Sequence, residues 1–233
     1  MADRMHSLSL LPRGPRRSAA AVARALAAST SGLAMLEFAF ALPVLLTLSL
    51  VGIEVSHFAM ANLRVSNIAV MTADNAARVR DTIDETDVVE LMTGAKMTGG
   101  EIDFGRHGRI ILSSIEANTA GAGGASTGQW IRWQRCDGAK HASSVWGTEG
   151  KGQNDATLPH VGSPNTIDAA PGTAVMLVEV FYDYQPLIPN SILSGRTIHY
   201  ESAFNVRQRT NQAIANASSL SNAQKRLCSN YDA

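Results

Sequence analysis

Cysteine, aromatic residues and an excess of charge of either sign are what this 233-residue chain has least of. It carries two cysteines, Cys136 and Cys228, with no C-x-x-C or comparable ligand spacing, which argues against a thiolate zinc site. The formal net charge is zero, so nothing marks a general nucleic-acid binder. H-E-x-x-H and phosphate-loop patterns are absent, and Ser143-Ser144 have no recognisable base. His57, His107, His141, His160 and His199 are scattered without metal-ligand spacing and read as surface or strand-face residues. The expectation is a non-enzyme with no cofactor, no metal and no small-molecule substrate.

Charge is also missing locally, and there its absence is informative. From Gly32 to Ile53 the chain is apolar apart from Glu37, Thr47 and Ser49. About 21 residues at ~1.5 Å each span roughly 32 Å, the thickness of a bilayer core. Pro43 lies inside this run, where it removes a backbone donor and is expected to kink or loosen the helix. Before the run, Arg4, Arg13, Arg16, Arg17 and Arg24 face only Asp3, and the next Lys or Arg is Arg64. That bias predicts a cytoplasmic amino terminus with the bulk of the chain exported.

The leader itself divides into a Pro/Gly-containing part, read as disordered, and an Ala-rich run, RSAAAVARALAAST, read as helical. Arg16-Arg17 invites a twin-arginine reading and the acid-poor start a transit-peptide one, but neither explains a full-length apolar segment headed by a glutamate. Ala59-Met60-Ala61 fits a signal peptidase site. A soluble binding module released after Ala61 is therefore one alternative.

Beyond Ile53 the apolar pattern continues at helical spacing through Val55, Phe58, Val65, Ile68 and Val79, with no Gly or Pro until Gly94. One helix is expected from the anchor to about Arg80, on the order of 70 Å from Leu33 at 1.5 Å per residue. Thr82-Ile83-Asp84-Glu85 resembles a capping box, and Asp87 is read as capping a short helix through Met92. The acidic run from Asp81 to Glu90 reads as a solvated face, since it lacks the alternating ligands and turn glycine of a calcium loop.

Four β segments follow: 108–118, 129–135, 173–185 and 196–207. In the second, Ile131 and Trp133 are expected on one face and Trp130, Arg132 and Gln134 on the other, wet face; in the fourth, Ile198, Tyr200, Phe204 and Val206 share a face. The soft stretch TAGAGGASTG joins the first two strands, and the turn Pro186-Leu187-Ile188-Pro189-Asn190 joins the last two. The loop from Asp137 to Gly172 reads either as a contact surface or as slack. The polar tail, 208–233, is expected to form a loose helix through Ala217 and then return Cys228 to Cys136. In an oxidising compartment those two can close a disulfide across 92 positions; the alternative is two unpaired thiols.

Gly32 followed by Glu37 and Phe38, G-x-x-x-x-E-F at the head of a membrane helix, resembles the processing site of type IV pilins. Together with the strand V-E-V-F-Y-D-Y-Q-P-L-I-P, which contains Val178, Glu179, Val180, Tyr182, Tyr184 and Pro186, and with W-x-R-C-D-G at Trp133 to Gly138, the chain is similar to the TadE family of minor pseudopilins of tight-adherence, Flp-type pili. The adhesion-type D-x-S-x-S motif of the larger TadG-like relatives is absent. The resemblance implies a prepilin peptidase cut between Gly32 and Leu33, and a new ammonium on Leu33 paired with a Glu37 carboxylate in the membrane. It also implies other pilus and tight-adherence assembly subunits as partners.

The implied fold is α+β and pilin-like, a long membrane-anchored amino-terminal helix on a small antiparallel sheet. Its parts are a leader over 1–32, a transmembrane segment over 33–53, a periplasmic continuation of the helix over 54–80, a β-rich periplasmic domain over 81–207 and a tail over 208–233. The protein would sit in the inner membrane as a single-pass protein. A bitopic scaffold that is never cut is the other alternative.

Overall fold

The computed structural model describes residues 18–29, 31–119, 127–164 and 166–231. The Pro/Gly-containing part of the leader and the centre of the TAGAGGASTG stretch lie outside the described residues. The chain divides into two units, Met1–Gly52 and Ile53–Ala233, and one helix contributes to both.

In the first unit, α1 (Ala19–Ala27) begins where the Ser18 hydroxyl accepts a hydrogen bond from the amide of Ala21. Its alanines have the highest helix propensity, as expected for the Ala-rich run. α2 (Ser31–Arg78) follows and runs unbroken through Pro43.

The second unit is organised around the half of α2 after Gly52. Ala61, Val65, Ile68, Ala69, Ala73, Ala76 and Ala77 are buried there at helical spacing. The predominance of alanine lets the helix approach a sheet closely, because a methyl group holds neighbouring backbones less far apart than a leucine would. Arg78 ends α2, two residues short of the expected Arg80.

α3 (Glu85–Thr98) is capped by Asp84, whose side chain accepts from the Thr86 amide while the Asp87 carboxylate accepts from the Asp84 amide. Asp87 is thus the returning partner of a capping box and not its cap. The helix runs through Gly94, six residues past the expected Met92, because Val88, Met92 and Ala95 are buried on one side of it. A 3-10 turn (Gly100–Ile102) and the single-turn α4 (Phe104–His107) lead into the sheet.

The sheet comprises β1 (Gly108–Asn118), β2 (Gly128–Asp137), β3 (Ala174–Asp183) and β4 (Thr197–Asn205), antiparallel throughout in the order β2-β1-β3-β4. Toward α2 and α3 it presents Ile110, Leu112, Met176, Val178, Val180 and Tyr182. Ile198, Tyr200, Phe204 and Val206 join the same cluster, as the alternation in β4 requires. Each such aliphatic side chain contributes roughly 1.5–3 kcal/mol on burial. This is the expected α+β arrangement of a long helix on an antiparallel sheet.

Two expectations about faces fail. Ser114 pairs with Trp133 but Ile115 pairs with Ile131, so Arg132 is an extra residue in β2. The bulge inverts the alternation: Trp133 packs toward α2, and Ile131 packs on the opposite side. That opposite side is also not wet. Leu158, Val161 and Ala169 from the loop after β2 close over Ile115, Ile131, Val175 and Leu177 to form a second core. The loop is thereby neither slack nor free: the Gln129 amide donates to Leu158, and the amides of Ile131 and Gly150 donate to Lys151 and Ile131.

The tail forms no helix over its described residues. It runs through a series of turns, bridging to Asp81 and Asp84 and receiving the Trp133 indole N–H at the Gln212 carbonyl (3.0 Å) and the Cys136 amide at the Arg226 carbonyl (2.7 Å). Cys136 and Cys228 are joined by a disulfide.

Candidate membrane anchor and processing site

Within α2, the stretch from Leu33 to Ile53 exposes every large apolar side chain it has, including Leu33, Phe38, Phe40, Leu45 and Leu48. Exposed apolar area costs about 25 cal/mol per Å² in water, so a continuous stripe on all sides of a helix is matched to hydrocarbon. Its two hydroxyl groups are satisfied internally. The hydroxyls of Thr47 and Ser49 donate to the carbonyls of Pro43 (2.7 Å) and Leu45 (2.8 Å), one turn back. Among the described residues, one helix is long and apolar enough to cross a membrane, and it is this one.

The residues of the G-x-x-x-x-E-F pattern lie on the first turns of α2. Gly32 is in open surroundings, since a Cβ added there meets nothing within 4 Å. Leu33, Glu37 and Phe38 are exposed. The first unit therefore presents this stretch without packing it.

The second unit begins with a buried carboxylate that sequence reasoning passed over. Glu54 is 3% exposed and accepts hydrogen bonds from the Tyr184 hydroxyl (3.0 Å), the Ile188 amide (3.1 Å) and the Ser191 hydroxyl (3.2 Å). Nδ1 of His57 hydrogen-bonds the same tyrosine oxygen at 2.9 Å, and Phe58 meets the Tyr184 ring edge-on at 4.9 Å. Burial, reinforced by the adjacent Glu54 carboxylate, pushes the Tyr184 phenol well above its ordinary range, so it stays a donor.

The other motif residues separate by face. Val178, Val180 and Tyr182 are buried toward α2, where the Tyr182 hydroxyl donates to the Ile102 carbonyl at 2.8 Å; Pro186 sits half-buried in the β3–β4 turn. Burial pushes Tyr182 up to about 12. Glu179 lies on the opposite face, fully buried, directly across from Glu201 and next to His199. Burial pushes the Glu179 carboxyl up to about 7; the nearby Ser144 side chain and the Val145 amide oppose the rise and the Glu201 charge adds to it. His199 moves down, through burial, with Glu201 opposing.

The disulfide is accompanied by a buried arginine that no motif announced. Arg109 donates to the carbonyls of Gly138 (2.8 Å), Cys228 (2.7 Å) and Asn230 (2.6 Å), and its guanidinium lies 4.1 Å from the centre of the Tyr231 ring. Arg135, beside Cys136 in β2, forms a forked ion pair with buried Glu85 (2.6 and 2.9 Å) and reaches Glu149 at 3.0 Å. These cations would have been visible in sequence only as charges interrupting apolar strands.

No family model, curated protein or solved structure matches the chain.

Proposed function

We propose that this chain is a TadE-like pseudopilin, a non-enzymatic assembly component of an Flp-type pilus. It is held in the inner membrane by α2 with its amino terminus in the cytoplasm and its second unit in the periplasm. The observation that carries this reading is the coincidence of Gly32, Glu37 and Phe38 with the start of an exposed apolar helix that continues into a disulfide-closed α+β unit. A lone glutamate in such a helix is costly, by ~2.5–3.5 kcal/mol at a helix centre and less near an end. Pairing with a freed Leu33 ammonium offsets that cost. Prepilin peptidase cleaves between Gly32 and Leu33, and the mature helix then packs with other pilus subunits.

The module released after Ala61 is disfavoured by a specific observation. Ala61 is buried in the middle of α2, and cleavage there would remove Glu54 and with it the partner of Tyr184, Ile188 and Ser191. The deciding experiment is the amino-terminal sequence and intact mass of the protein from its native membrane. A terminus at Leu33 supports the pseudopilin; an intact Met1 replaces it with the uncut scaffold, and a terminus at Asn62 replaces both.

A further inference from the structure

On the face of the sheet away from α2, β3 and β4 place two carboxylates directly opposite one another, Glu179 and Glu201, with His199 two residues away on the same face. Like charges at a directly opposed cross-strand pair are destabilising, and burial makes the repulsion worse. Glu179 is fully buried, and its Oε2 has no hydrogen-bond partner although Oε1 accepts from the Val145 amide at 2.9 Å. One ligand atom from each of Glu179, His199 and Glu201 can be chosen so that all three lie within 4.8 Å of one another. A cation at their centre would be attracted to both carboxylates and so offset their mutual repulsion.

We propose that Glu179, His199 and Glu201 bind a divalent transition-metal ion of the zinc class, which fastens the loop after β2 to the sheet. An imidazole with two carboxylates suits zinc better than calcium, which takes oxygen ligands only. Donors ~2.0–2.2 Å from a tetrahedral zinc stand roughly 3.4 Å apart, so the set closes with side-chain movements of about an ångström. The surrounding groups already orient the donors. The His199 ring is stacked on Phe181 at 4.2 Å, the Trp146 indole N–H holds Oε1 of Glu201 at 3.1 Å, and the Ser163 amide holds its Oε2 at 2.9 Å. A pocket lined by Trp146, Pro164, His199 and Glu201 supplies the entry path, and the fourth ligand is water. Val145, Trp146 and Ser163 all belong to the loop, so the ion and its carboxylates join loop and strands at one point.

The test uses the untagged full-length chain in detergent, with its disulfide intact, stripped by chelator and titrated with Zn2+, Ca2+ and Mg2+. Native mass spectrometry and calorimetry are expected to show one Zn2+ per chain, bound at least tenfold more tightly than either other ion. Zinc is also expected to raise the melting temperature and slow tryptic cleavage after Lys151. Glu179→Gln and His199→Ala should each weaken zinc at least tenfold. His160→Ala, which removes the separate exposed His160–Asp168 pair, should leave binding unchanged. The proposal is overturned if the wild-type chain takes up no zinc, leaving a shared proton as the only link between the carboxylates. It is equally overturned if calcium binds as well as zinc, or if zinc binding survives both Glu179→Gln and His199→Ala.

Discussion

The Tyr184 hydroxyl donates to Oε1 of Glu54 at 3.0 Å, which ties the turn after β3 to the first buried residue of α2 in the second unit. The same carboxylate holds the Ile188 amide and the Ser191 hydroxyl, so a single side chain organises the β3–β4 connection. Removing one donor leaves Glu54 buried with one partner fewer. Tyr184→Phe should therefore cost roughly 1–2 kcal/mol. For a folded unit of this size that is a fall of about 2–8 °C in melting temperature, followed by circular dichroism in detergent. An unchanged melting temperature would show that the hydrogen bond contributes nothing.

Gly32→Ala separates recognition from folding. An added Cβ meets nothing within 4 Å and alanine is the better helix former, so the substitution should leave insertion and the second unit intact. If prepilin peptidase reads this glycine, the variant accumulates at full length in membranes while the wild type is shortened by 32 residues. Glu37→Ala should likewise insert, with less desolvation than the wild type, and fail in pilus assembly. Normal piliation by Glu37→Ala would remove the role given to that carboxylate.

Much of this architecture was legible in the residues because its periodicities are long and clean. The apolar run, the helical stripe through Phe58, Val65 and Ile68 and the alternation in β4 each have one geometric interpretation. Ile131 and Trp133 were misassigned because a bulge adds one residue, and period-two reasoning has no way to count it. The second core was missed for a different reason. Leu158, Val161 and Ala169 are sparse apolar residues in a Gly- and Ser-rich stretch, and only the sheet beneath them makes them a layer. Glu54, Arg109 and the Glu179–His199–Glu201 group depend on chain positions far apart, which no local pattern encodes.

The disulfide spans 92 positions and anchors a tail whose described residues form no helix. Cross-linking a loop of that length removes chain entropy from the unfolded state equivalent to about 4–5 kcal/mol in the chain-entropy model. Cys228→Ser should lower the melting temperature on the order of 10 °C at this size, and reductant should have the same effect on the wild type but none on the variant. Arg109 would then lose ordered carbonyl partners at Cys228 and Asn230, so faster proteolysis of the tail should accompany the change.

Acid should weaken the start of α3 through Asp84. Its carboxylate accepts from the Thr86 hydroxyl, the Thr86 amide (3.0 Å) and, across to the tail, the Ala217 amide (2.7 Å), and these bonds hold its carboxyl below the ordinary aspartate value of 3.8. A carboxyl with a lowered folded-state pKa binds its proton more readily in the unfolded chain. Its contribution is therefore fully present above the unfolded value and is lost as pH falls through the folded one. Asp84→Asn keeps an oxygen to cap Thr86 but removes the charge and, with an amide nitrogen in place of Oδ2, the acceptor of the Ala217 amide. At pH 7 the variant should melt below the wild type, and the gap should narrow below about pH 4 as Asp84 is protonated. A gap that stays constant from pH 7 to the acid limit would mean that the charge contributes nothing and that the lost acceptor for the Ala217 amide accounts for the difference.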